Sequence, residues 1–268
     1  MRLPEKKNIC SRPQAAEKNR GCIMKYGYFR TEARRLLKGC GLYAAIPGVT
    51  ASMFFSLEKF GLINGNVLYT FFHAANMSGM RMVFIFCALP YAASFCDDLE
   101  YGYVRFQAVR GSLKHYVAAK AGVIYLSSIA TLLPGSLIFV LLCRTLGPWT
   151  LPDTASGGII AFEGLIESGH YIWYCMLCSL QLGLLAGIFS VMSALFSLYI
   201  TNKAMVSVLP VLIHQILGET RLHSAVYLFY GYGQSGNDWH NLLYMVFISA
   251  GSAAAMTFGI YRKLRTRM

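Results

Sequence analysis

Residues 171–202 run for 32 positions without one charged side chain. A helix needs about 20 apolar residues to cross the hydrocarbon of a bilayer, and a longer run tilts or bends to fit. Residues 39–57 and 121–143 are also uncharged, with Pro134 expected to kink the second run. Residues 82–96 are too few to cross alone, so their span is expected to start near Ala75 and to hold Arg81 a turn or two from its outer end. Residues 204–218 form a short run with Pro210 inside it, turning polar at His214, Gln215 and Glu219. Residues 241–261 end the series. The expected fold is an all-α membrane protein with six spans, at about 39–57, 75–96, 121–143, 171–202, 204–218 and 241–261. Residues 224–233 are too short to cross and are expected to dip into the outer leaflet and return.

Composition agrees with lipid as the solvent. Apolar residues make up 56% of the 268 positions and charged ones 13%, against about 25% charge in a soluble domain. Lysine and arginine number 24 against 12 acids, but they stand at the ends of apolar runs. That placement fits membrane orientation and contact with anionic lipid rather than nucleic acid. With the N-terminus inside, twenty of these cations fall on the inner side. Only Lys59, Arg81, Arg144 and Arg221 fall outside. Both termini are therefore expected in the cytoplasm. The eight cysteines show no paired extracellular pattern, so no disulfide framework is expected.

Residues 1–38 carry eleven Lys/Arg and three Glu and have no signal-peptide core. Residues 1–23 are expected to be a disordered basic extension, since Met24 opens a stretch that would itself make a plausible start. Residues 24–268 would be the six-span domain, entered through a basic interfacial helix over 28–38.

The one long polar interruption expected to face the cytoplasm is 97–120, DDLEYGYVRFQAVRGSLKHYVAAK. Asp97, Asp98 and Glu100 lead, and Arg105, Arg110, Lys114 and Lys120 follow, matching the partial charges of helix ends. Phe106, Val109, Leu113, Tyr116 and Val117 recur at steps of three and four, one apolar face of a helix. The stretch is expected to be a short amphipathic helix on the membrane surface.

Motifs for chemistry are few. No phosphate-cradling GxxxxGK[ST] loop is present. Gly231, Gly233 and Gly236 spell GxGxxG without a preceding strand. Cys175 and Cys178 form CxxC inside a span, where packing is the ordinary role. The six histidines show no HExxH and no ligand cluster, and no GxSxG elbow appears. Gly183 and Gly187 form GxxxG in the fourth span, serving close packing within the bundle or a subunit interface. Ser249–Ala255 with Gly259 give the sixth span a small-residue face of the same kind. Arg81 either snorkels or has a functional or interface role, while His214, Gln215 and Glu219 either line a polar path near the outer face or simply end the fifth helix in the membrane interface.

The stretch around 97–120 resembles the ABC-2 type transporter permease family, membrane subunits of bacterial ABC exporters with six spans each. Phe95-Cys96 close the second span, Asp97-Asp98-Leu99-Glu100-Tyr101-Gly102 follow, and Arg105, Arg110, Tyr116 and Lys120 lead into the third. The basic helix before the first span and the segment 219–240, similar to that family's re-entrant helices, extend the resemblance over 25–267. It implies a cytoplasmic coupling helix meeting a separate ATPase subunit, with Asp97, Asp98, Glu100, Arg105, Arg110 and Lys114 as contacts. It further implies ATP on that partner, no cofactor on this chain, pairing with a like or second permease, and the bacterial plasma membrane. The chain itself would not be an enzyme. Two other functions compete: a non-transporting immunity or sensor protein binding a peptide or lipid, and an ion-coupled secondary transporter. The second expects charges at midplane, where only Arg81 is a candidate.

Overall fold

The computed structural model describes residues 27–57, 62–76, 80–104, 106, 112–149, 162–200, 202–220, 226, 229 and 237–267. Among these residues every regular element is a helix. The expected extension over 1–23, the glycines at 231, 233 and 236, and most of 219–240 lie outside them. Of the segment 224–233, Val226 and Phe229 are described, and both are buried in the main core.

The chain starts with α1 (27–38), turns at Gly39 and continues as α2 (Cys40–Phe55). A 3₁₀ turn (Ile63–Gly65) leads to α3 (Val67–Asn76), α4 (Met80–Ala88) and α5 (Ser94–Glu100). Then come α6 (Leu113–Leu146), α7 (Glu163–Glu167), α8 (Tyr171–Phe196), α9 (Lys203–Glu219) and α10 (Asp238–Thr266). Three of these, α6, α8 and α10, are long and apolar enough to cross a membrane; α2 is apolar but only 16 residues long. At 1.5 Å per residue the 34 residues of α6 reach about 51 Å. That is longer than an upright crossing of a hydrocarbon core of about 30 Å requires.

Two expectations change. The span expected over 75–96 is not one helix: residues 89–93 turn between α4 and α5. Pro90 has no N–H and its ring crowds the preceding turn. The backbone tightens around it, with Tyr91 N donating to Ala88 O (3.3 Å) and Ser94 N to Tyr91 O (3.1 Å). The surface helix expected over 97–120 is also divided. Asp97–Glu100 end α5, Gly102 turns the chain at φ +66°, and residues 113–120 are the first turns of α6. Tyr116 and Val117 therefore face the core and not a membrane surface.

Helix α8 is the central element: 72% of its apolar window is buried, against 17% for α10. Its closest approach is to α6. A Cβ on Gly187 would stand 2.6 Å from the Tyr125 ring, and one on Gly183 would touch the Ile129 backbone at 3.5 Å. The GxxxG pair thus packs α8 on α6 within this chain, as small residues do where apolar lipid offers no drive for association. Small hydroxyls join the helices further. Ser128 Oγ donates to Ser190 Oγ (2.7 Å), and Thr50 Oγ1 to the carbonyl of Gly135 (2.9 Å).

Both described ends of the chain lie at the same end of the bundle. Ile260 and Leu264 of α10 share a cluster with Phe95, Tyr116 and Val117, and Tyr28 and Leu36 of α1 pack against it. At the opposite end Val67 N donates to Pro148 O (3.1 Å), and Phe162 N to Asp238 Oδ2 (2.7 Å). There Trp149 stacks on Tyr171, their ring centres 5.4 Å apart.

Candidate functional site

The end that gathers both described ends of the chain holds a cluster of charges, three of them buried and a fourth, Arg35, reaching solvent. Glu32 and Arg35 stand one turn apart on α1, Asp98 lies on α5, and Tyr116 and Lys120 stand one turn apart on α6. Helical spacing of three and four puts each pair on one face. Tyr91 comes from the turn that Pro90 imposes. Lys120 is fully buried, and Glu32 and Asp98 are 2% exposed.

Asp98 is the centre. Its Oδ2 accepts from both the Tyr116 hydroxyl and the Lys120 ammonium, and its Oδ1 lies 3.6 Å from an Arg35 nitrogen. Lys120 Nζ also donates to the carbonyl of Ser94 (2.9 Å) and lies 4.8 Å from the centre of the Phe95 ring. The Tyr91 hydroxyl donates to Glu32 Oε2, while Arg35 holds Glu32 Oε1 at 3.3 Å and covers the Tyr103 ring at 5.2 Å. Burial works against the Arg35 guanidinium, but Glu32 and Asp98 outweigh it and raise its affinity for its proton. Two acids and two bases cancel, with Glu32, Asp98 and Lys120 buried and Arg35 half-exposed at the rim of the knot. Such a group is stable only when every charge has its partner, which is the case here.

A second, exposed layer lies on the other side of α5. Lys203, opening α9, reaches Asp97 Oδ1 at 2.5 Å and Glu100 Oε2 at 3.3 Å. Hydrogen bonds from Asp97, then Glu100, hold its ammonium above the ordinary lysine range. A raised value keeps the pair intact at neutral pH and loses it only as pH climbs past that range. The thiol of Cys96 points to the carbonyls of Ser197 (3.8 Å) and Ile200 (3.6 Å). Lys263 of α10 in turn covers the Tyr199 ring at 4.6 Å. Through these contacts α5 is joined to α1, α6, the α8–α9 turn and the end of α10.

The residues expected from sequence separate accordingly. Asp98 is buried and occupied within the chain, so it is no contact for a partner; it positions α5. Asp97 and Glu100 are exposed but already paired with Lys203. Lys114 is exposed beside Tyr261, 5.6 Å from its ring centre. Arg105 and Arg110 lie outside the described residues. Arg81 sits, partly buried, on the first turn of α4, and His214 packs on Phe84 one turn further along (5.2 Å). Gln215 and Glu219 bond to each other at 3.4 Å on the exposed side of α9.

Sequence reasoning missed Glu32, Arg35, Tyr91 and Lys203. The available signal was Glu32, the single acid among Arg30, Arg34, Arg35 and Lys38. Beside the knot a cleft of about 520 Å³ opens between α5 and the end of α10, lined by Glu100, Gly102, Val104, Leu264 and Arg267 among others. Tyr101 and Phe106 stand out from the surface there, 76% and 62% exposed. Among the described residues no group of three or more His, Cys, Asp or Glu is placed to hold a metal ion.

The chain matches no protein-family model, no curated protein and no solved structure with which it was compared.

Proposed function

We propose that this chain is the membrane-spanning permease subunit of an ATP-driven exporter, moving a hydrophobic or amphipathic substrate with energy from a separate ATPase. In this reading the chain crosses the bilayer six times in a bacterial plasma membrane. The charged end faces the cytoplasm, following the excess of lysine and arginine on that side. The permease acts as a pair with a like or second permease chain.

The observation that carries the proposal is the double attachment of α5. The buried knot fixes it to α1 and α6, and the Lys203 pairs fix it to the α8–α9 turn. A force on the segment between α5 and α6 therefore moves several spans as one body, as rigid-body rocking of packed helices requires. Tyr101 and Phe106 are aromatic, exposed and set among charges, the composition of an interface anchor. In this reading Arg105 and Arg110 take part in the ATPase contact, and Asp98 is the fixing point of α5.

The test is co-purification of the chain with its candidate ATPase in mild detergent, followed by ATP hydrolysis with and without the permease. The expected result is a stable complex with altered hydrolysis, uncoupled from transport by Arg105→Glu with Arg110→Glu while membrane insertion stays normal. Normal transport in that double variant would overturn the coupling role. No complex and no effect on hydrolysis would leave a non-transporting binding protein as the better reading.

A further inference from the structure

Helices α6 and α10 leave a groove of about 590 Å³ between them. The Tyr125 hydroxyl and Ser249 Oγ, 2.8 Å apart, join the two helices at its deep end. Its walls are Ala118 and Ala121 on α6 with Ala250 and Ala254 on α10, and its mouth is formed by Lys114 and Tyr261. From Lys114 to Tyr125 the groove runs eleven residues of α6, about 16 Å at helical rise. It is narrow, apolar and open to the side on which α10 has no protein neighbour.

The rim is cationic. Lys114 is exposed and belongs to none of the ion pairs among the described residues. Arg262 and Arg265 follow Phe258 and Tyr261 at steps of three and four, so helical spacing puts them on the same face of α10, and both are exposed. A second copy turned about an axis normal to the membrane would bring these cations against their own counterparts, which disfavours it as occupant.

We propose that the groove binds one acyl chain of an anionic glycerophospholipid, with its phosphate at Lys114, Arg262 and Arg265. The small side chains give the hydrocarbon room, and the cations select the headgroup. This assignment needs only the membrane character of the chain and is independent of any ATPase.

The test uses the full chain, purified and stripped of lipid, titrated with phosphatidylglycerol or phosphatidylcholine and read by native mass spectrometry. One tightly retained phosphatidylglycerol is expected, with a preference over phosphatidylcholine that Lys114→Ala reduces about fivefold, the worth of one surface cation. Ala254→Leu, which fills the groove, should abolish retention of both lipids. Circular dichroism and elution volume verify that each variant is folded. Should A254L not assemble, Thr257→Phe blocks the same wall. Equal retention of the two lipids, or retention unchanged by the blocking variant, would overturn the proposal. So would a cysteine at 254 that cross-links efficiently to a second copy in place of binding lipid.

Discussion

Lys120 is the residue on which the charged end depends. In the sequence it stands as the last base of an amphipathic surface helix, because a lysine between apolar runs normally marks the water boundary. Its partner Asp98 lies 22 residues away, and no local pattern announces that a charge is paired rather than solvated. Tyr116 was legible on the apolar face of a helix; that it and Lys120 both turn inward to Asp98 was not. Removing one member of a buried pair strands the other, at a cost of about 3–5 kcal/mol. Lys120→Met and Asp98→Asn are each expected to lose stability on that scale in detergent unfolding. The double variant should lose clearly less than the two together, since neighbours in one network are not additive. Additive losses would show that the two side chains act independently.

Among the elements, the uncharged runs 121–143 and 171–202 were readable as α6 and α8 because apolar length alone signals a spanning helix. The boundaries were not. The apolar stripe of 113, 116 and 117 belongs to the buried face of α6, and by periodicity alone it is indistinguishable from a surface helix. The turn between α4 and α5 follows from Pro90, whereas the tertiary pairing of Tyr91 with Glu32 that holds it has no local signature. The α6–α8 contact gives a graded prediction. Gly183→Ala meets Ile129 at ordinary contact distance and should leave stability almost unchanged. Gly187→Ala drives a methyl into the Tyr125 ring and should cost about 1–3 kcal/mol, the usual penalty of overpacking. Thermal unfolding of the two variants measures the difference, and equal effects would mean that the ring moves aside freely.

For the molecule as a whole, the helix ends sort into two groups, one around the knot and one around Trp149 and Tyr171. In a cysteine-free background, Gly164→Cys should label with a membrane-impermeant maleimide in intact cells, and Tyr101→Cys only after the cells are opened. Labelling from the same face would overturn the orientation. The knot also bears on how the protein is made. Helix α1 leaves the ribosome early, but the acid that steadies Arg35 and the lysine that neutralises that acid are translated only at positions 98 and 120. Until then Glu32 and Arg35 have only each other and, once it is made, the Tyr91 hydroxyl, and the first helix waits on the bilayer surface for the rest of its socket to be synthesised. A nascent chain stopped before α6 should expose residues 27–38 to protease, and one carried past Lys120 should protect them.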